Sequence, residues 1–103
     1  MNYKTISVAD SKNLIKKSKP MILDCRAVKD YREGHLEDAL HVHEDLKLSL
    51  VKRGDKQRGL LIYCYHGHAS EHLAEFFSDF GFKHVYSLEG GYSGWKEHHS
   101  SGD

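Results

Sequence analysis

Leu60-Leu61-Ile62-Tyr63-Cys64-Tyr65-His66-Gly67-His68-Ala69-Ser70 joins a short apolar run to a helical pattern that spans Glu71 to Phe80. Four apolar residues in succession, preceded by the polar loop Lys56-Gln57-Arg58-Gly59, read as a buried strand. Cys64 therefore falls where a strand ends and a helix begins. Backbone N–H groups of such a turn, and of the first helical turn after it, point toward the cysteine sulfur and favour negative charge there. A thiol so placed loses its proton more readily than an ordinary cysteine and reads as a nucleophile. Gly67 lets the loop fold back without a Cβ clash. Ser70 is placed to cap the helix with its hydroxyl or to donate to the sulfur.

The flanking sequence alternates strands and helices. Tyr3 to Ser7 reads as a first strand. Ser7-Val8-Ala9-Asp10 resembles a capping box and opens a helix to about Lys17 that buries Val8, Leu14 and Ile15. Pro20 cannot continue that helix. Met21-Ile22-Leu23-Asp24 is a compact apolar run ending in a charge, the pattern of a doubly buried strand whose last residue emerges at a functional edge. Val28 to Gly34 reads as a short helix, Ala39 to Val42 as a weak strand, and Glu44 to Arg53 as a helix stopped by Gly54. Leu73, Phe76, Phe77 and Phe80 share one helical face, with Gly81 as the residue that ends it. His84 to Leu88 is the final strand, Gly90-Gly91 a turn, and Tyr92 to His98 a last helix carrying Trp95. This alternation implies an α/β domain with a largely parallel sheet and right-handed crossovers. Ligands then belong at the carboxyl ends of the strands, where Asp24, Cys64 and Glu89 emerge.

Composition narrows the chemistry. The chain has 103 residues, which reads as a single domain over 1–103, with a polar tail from about His98 that is expected to fray. Its 15 Lys and Arg balance 15 Asp and Glu, so no excess charge draws it to nucleic acid or to a membrane surface. No apolar run approaches a membrane span, and the first residues lack the regions of a signal peptide. A cytoplasmic protein is expected. The two cysteines, Cys25 and Cys64, form no CxxC pair, so free thiols are expected in a reducing compartment. Nine histidines are many for this length, yet no i, i+4 pair within the helices read above and no cysteine-rich knuckle supplies the three or four convergent ligands that zinc requires. No metal and no cofactor are expected.

Four segments, in order, resemble the single-domain rhodaneses, a group of sulfurtransferases. Leu23-Asp24-Cys25-Arg26 is similar to that family's Asp-x-Arg strand end. Tyr31-Arg32-Glu33-Gly34-His35-Leu36-Glu37-Asp38-Ala39 is similar to its Tyr-x-x-Gly-His-Ile-x-x-Ala segment. Cys64 to Ser70 resembles its active-site loop, and Leu88-Glu89-Gly90-Gly91-Tyr92-Ser93-Gly94-Trp95 its closing Gly-Gly-x-x-x-Trp segment. The Cys-Tyr-His-Gly opening resembles most a small bacterial stand-alone subgroup. The resemblance implies a three-layer α/β fold, with a mostly parallel five-stranded sheet and helices on both faces. It also implies thiosulfate sulfurtransferase activity through a Cys64 persulfide, with Tyr65, His66, Gly67, His68, Ala69 and Ser70 as the binding loop. The sulfur donor would be thiosulfate or another sulfane-sulfur compound. The acceptor would be cyanide in an assay and a thiol in the cell, from a thioredoxin-like protein or a small molecule. Phosphatases of the same fold carry an arginine six residues after the cysteine; Ser70 stands there, which removes the bidentate clamp that their chemistry needs. A protein-to-protein sulfur relay, or an interaction module with little thiosulfate turnover, remains the alternative.

Other residues read more plainly. Asp24 and Arg26 are supporting groups, with Arg26 pairing to a carboxylate. Gly34 and His35 fix a turn, His35 making a satisfied hydrogen bond, and Trp95 belongs to the core. Cys25 reads as core packing or a bystander thiol, with a resolving role through a Cys25–Cys64 disulfide as the alternative. Many rhodaneses carry arginine in the loop where this chain has Ala69. His66 and His68, either solvent-facing or partly cationic, are the remaining candidates to attract a dianionic donor, since imidazole titrates near neutral pH.

Overall fold

The computed structural model describes residues 3–100. Five strands alternate with five helices: β1 (Lys4–Ile6), α1 (Val8–Ser18), β2 (Met21–Asp24), α2 (Val28–Glu33), β3 (Leu40–His41), α3 (Glu44–Arg53), β4 (Leu60–Tyr63), α4 (His68–Asp79), β5 (Val85–Leu88) and α5 (Gly91–Ser100). The strands form one sheet in the order β1-β5-β4-β2-β3. Every pairing is parallel, so the mostly parallel sheet expected from the resemblance is parallel throughout.

Side chains alternate along each strand between two apolar cores. Leu23, Leu60, Ile62 and Val85 face one core, shared with Leu46 and Leu50 of α3 and Ala74 and Phe77 of α4. Ile22, Leu61, Tyr63 and Leu88 face the other, with Val8 and Ile15 of α1, Tyr31 of α2, and Tyr92 and Trp95 of α5 packed against it. Helices thus cover both faces, and β4, buried at all four positions, is the centre of the molecule. This is why β2 and β4 read as unbroken apolar runs rather than as alternating patterns.

Local chemistry sets most boundaries. Ser7 caps α1, its hydroxyl accepting the Asp10 N–H at 3.1 Å. Three expectations change. Val8, Leu14 and Ile15 are half-buried, and the buried residue of α1 is Ser11, whose hydroxyl donates to the Val8 carbonyl at 2.7 Å. Phe80 is 50 % exposed: α4 ends at Asp79, and the next residue leaves the buried face on which Phe77 sits. The last helix runs through Ser100, and the His98 ring lies 3.0 Å from the Lys12 ammonium of α1, so the segment expected to fray at His98 is helical there. The tail beyond Ser100 lies outside the described residues.

Candidate active site

Chain direction through the sheet reverses between β2 and β4. From β2 the chain moves outward to the edge strand β3; from β4 it moves the opposite way to β5. The crossover α2 lies on one face and α4 on the other, which leaves a crevice at the carboxyl ends of β2 and β4, where ligands bind in such sheets. Register pairs Asp24 with Tyr63, so the next residue on each strand is a cysteine. Residue parity then sends Asp24 and Tyr63 to the α1–α2–α5 face, and Cys25 and Cys64 to the α3–α4 face.

The Cys64 sulfur sits in a ring of donors. Gly67 N–H approaches it at 3.2 Å and Ser70 N–H at 3.3 Å. The Ser70 hydroxyl lies 3.4 Å away. These two N–H groups, rather than the whole run from Tyr65 to Ser70, meet the sulfur. Gly67 adopts φ +118°, a conformation that L side chains rarely take. The thiol is lowered to about 4 by the Cys25 side chain first, then by the Ser70 hydroxyl and the Ser70 and Gly67 N–H groups, against the opposing effect of burial. Cys64 is only 3 % exposed, so its charge is held by the protein and not by water.

The helix that supplies these donors begins at His68, three residues before its expected start. Gly67 is the N-cap and has no capping side chain, so the usual polar cap signal is missing from the sequence. Ser70 does not cap. It occupies the third helical position, where its hydroxyl reaches back to the Gly67 carbonyl at 3.1 Å and meets the Ser87 hydroxyl of β5 at 2.8 Å. Ser87 is buried and was invisible to motif reading; the one hint is a serine in the otherwise apolar run Val85-Tyr86-Ser87-Leu88. With the sulfur ionised, the Ser70 proton turns toward it, and Ser87 donates to the Ser70 oxygen in its place.

Asp24 does not emerge at the edge. It is fully buried and held by Arg26 through its backbone N–H at 2.8 Å and its guanidinium at 2.9 Å. Burial alone would weaken the guanidinium charge; Asp24 outweighs it and holds Arg26 above its ordinary range. Arg26 also donates to the Gly34 carbonyl at 2.5 Å and stacks 3.9 Å from the Tyr92 ring centre. Tyr63, likewise buried, has its hydroxyl pushed up by desolvation and by its bond to Asp24, and accepts the Leu36 N–H at 3.1 Å. Four aromatic and charged groups thus lock the end of β2 to the loop after α2. His35 bonds to the Tyr31 carbonyl at 2.8 Å, and its ring stacks on that of Tyr31 at 4.0 Å.

The first turn of α5 supports the cysteine loop from below. Tyr92 N–H donates to the Cys64 carbonyl at 2.8 Å and Ser93 N–H to the Tyr65 carbonyl at 3.2 Å. Gly91 makes this approach possible: at φ +57°, a Cβ there would lie 2.5 Å from the Cys64 oxygen. Tyr65 leans outward, donating to the Asp30 carboxylate and accepting the Ala27 N–H at 3.2 Å. His66, His68 and Ala69 form an exposed rim. Beside it, an open groove of about 490 Å³ is lined by Cys25, His43, Lys47, Ala69 and His72, among others. Lys47 brings a fixed cation to this groove that no motif announced. Among the described residues, no three His, Cys, Asp or Glu side chains converge as metal ligands, and no helix is long and apolar enough to cross a membrane.

Comparison with known proteins agrees with this geometry. The family model described as the rhodanese-like domain matches residues 7–98. A protein of Coxiella burnetii named thiosulfate sulfurtransferase GlpE is 40 % identical over 103 residues, covering 100 % of this chain and 96 % of that one. A protein of the same name from Shewanella oneidensis is 30 % identical over 96 residues, covering 93 % and 95 %. Among solved structures, a rhodanese-like domain protein from Staphylococcus aureus superposes with a TM-score of 0.76 at 26 % identity, covering 89 % of this chain and 90 % of its own. A human single-domain sulfurtransferase, TSTD1, superposes at 0.78 with 17 % identity over 90 % and 95 % of the two chains, a likeness of fold alone.

Proposed function

Because the chain belongs to the rhodanese-like domain family, we propose that it is a thiosulfate sulfurtransferase that works through a persulfide on Cys64. The Cys64 thiolate attacks the outer sulfur of thiosulfate. A sulfur–sulfur bond forms to Cys64, the bond to the sulfonate sulfur breaks, and sulfite leaves with the electron pair. Cyanide or a thiolate then attacks the outer sulfur of the persulfide, and Cys64 is released as the thiolate. Two displacements through a covalent intermediate give ping-pong kinetics. The relatives named thiosulfate sulfurtransferase support the donor, and the cellular acceptor is proposed to be a thiol.

One observation carries this reading: a nearly buried sulfur, lowered to about 4, facing two backbone N–H groups and a hydroxyl. Fixed dipoles of this kind stabilise an anion without having to reorganise during reaction. They suit both the attacking thiolate and the persulfide anion. The first displacement needs no general base, because the Cys64 nucleophile is already ionised at neutral pH.

The test is thiocyanate formation from thiosulfate and cyanide, together with sulfite release from thiosulfate alone. Both are expected in wild type and both should vanish in Cys64→Ser. Sulfite release with negligible thiocyanate turnover would favour the relay. Neither product would leave an interaction module.

A further inference from the structure

Cys25 takes no part in the two displacements, yet it follows the strand residue paired with the one before the nucleophile. β2 and β4 are in register at Asp24 and Tyr63, and Cys25 and Cys64 follow them. Cys25 N–H donates to the Tyr63 carbonyl at 2.9 Å, extending the ladder by one step, and its thiol points to the same oxygen at 3.4 Å. Cys25 packs against the core that α3 and α4 share, and the Cys64 sulfur meets the first turn of α4. Cross-strand neighbours in a sheet lie about 4.8 Å apart, within the Cα separation of about 4.4–6.8 Å that a disulfide spans. Both thiols are free in this structure. Cys64 is buried, whereas Cys25 is partly open and lines the groove that also holds His43, Lys47 and His72.

We infer that Cys25 is a resolving thiol, which discharges the Cys64 persulfide within the chain as hydrosulfide and leaves a Cys25–Cys64 disulfide for an external dithiol to reduce. This rests on the persulfide reading above and adds a second fate for the sulfur. Cys25 sulfur attacks the inner, Cys64 sulfur of the persulfide. The Cys25–Cys64 bond forms, the bond to the outer sulfur breaks, and that sulfur leaves with the electron pair and the Cys25 proton as hydrosulfide. The two cysteine sulfurs are oxidised by two electrons and the outer sulfur is reduced by two. No external oxidant is needed, because the persulfide is the oxidant. A dithiol then exchanges with the disulfide and returns both cysteines to thiols.

The order of events is built into the pair. While Cys64 is a thiolate, its nearby charge, together with burial, keeps the proton on Cys25, pushing that thiol well above the usual range. Cys25 therefore neither competes for thiosulfate nor attacks early. Once Cys64 carries a second sulfur, the negative charge moves to the outer atom. The inner sulfur becomes neutral, and the part of the restraint on the Cys25 proton that came from Cys64 is lifted. The groove at Cys25 gives hydrosulfide a way out and a dithiol a way in.

The experiment treats reduced protein with thiosulfate, with no acceptor, and measures sulfite, hydrosulfide and intact mass. Wild type is expected to release about one equivalent of each product and to end lighter by two hydrogens, with the Cys25 and Cys64 peptides linked until dithiothreitol is added. Cys25→Ser and Cys25→Ala should release sulfite but no hydrosulfide and should keep one added sulfur. Two variants guard against one of them failing to fold. A wild type that releases sulfite, keeps its added sulfur and forms no disulfide would overturn the resolving role and leave the sulfurtransferase standing. Absence of sulfite in all three proteins would overturn both.

Discussion

β2 and β4 are adjacent, parallel and in register, and each delivers a cysteine one residue past its end. The two thiols are driven in opposite directions. After β4 the chain turns through Gly67 into a helix whose N–H groups close on Cys64, and the Cys25 side chain, the Ser70 hydroxyl and these N–H groups together draw it down to about 4. After β2 the chain is held by the Asp24–Arg26 pair, no helix begins at once, and Cys25 faces a thiolate that pushes its own ionisation up. The strand brings a cysteine to the edge; the groups that then meet its sulfur, the other cysteine and the N–H groups of the next turn, decide whether it reacts.

The contrast breaks most sharply in the two serine variants. Cys64→Ser should lower thiocyanate formation by at least ~10³-fold, as loss of a covalent nucleophile does, whereas Cys25→Ser should keep forming thiocyanate when cyanide is the acceptor. Comparable losses in both would mean that the two strand ends are not distinct. The β2 end should instead show itself in stability. Arg26→Met leaves a buried carboxylate without its partner, at a cost of about 3–5 kcal/mol, measured as a drop in the denaturant midpoint.

Finer changes act on the sulfur itself. Ser70→Ala removes a hydroxyl from the thiolate, a loss of about 1.5–3 kcal/mol for a bond to charge, or about one to two pKa units. Thiolate absorbance in wild type should persist as pH falls until it nears 4, because a depressed pKa keeps the anion above that value. In Ser70→Ala the midpoint should lie higher, so sulfite release is lost earlier on acidification. An unmoved midpoint would assign the anion to Cys25 and the backbone N–H groups. The smallest effect belongs to the exposed rim. KM for thiosulfate should rise about two- to fivefold from mildly acidic to mildly basic pH, the scale of an exposed charge, and His68→Ala should flatten that profile. A profile unchanged by the variant would leave Lys47 as the cation nearest the groove.

Much of this was legible in the sequence where a residue acts through its own backbone neighbours. β2, β4 and α3 occupy the spans their patterns implied, and Ser7 caps where a capping serine should. The legible part of the site was Cys64 at a strand-to-helix turn. The start of α4 was hidden because a left-handed glycine replaces the polar cap, which left Ser70 looking like the cap it is not. Asp24 read as an emerging charge, since nothing local shows that Arg26 folds back over it. Ser87 and Cys25 depend on register: their neighbours, Ser70 and Cys64, come from distant parts of the chain, and only strand pairing brings them together.

The clamp that α5 places on the Cys64 and Tyr65 carbonyls also bears on how the protein matures during synthesis. Those two oxygens are held by Tyr92 and Ser93, which follow every strand, and β5, which carries Ser87, is also the strand on which β1 pairs. A nascent chain that has just exposed Cys64 therefore has the thiol but not its surroundings. Until β5 and α5 are made, the Cys64 and Tyr65 carbonyls lack their donors and Ser70 lacks Ser87, so the sulfur's surroundings are incomplete. Fragments ending before Gly91 would carry the residue and lack its reactivity, so a thiol of high reactivity is withheld until the domain can fold around it.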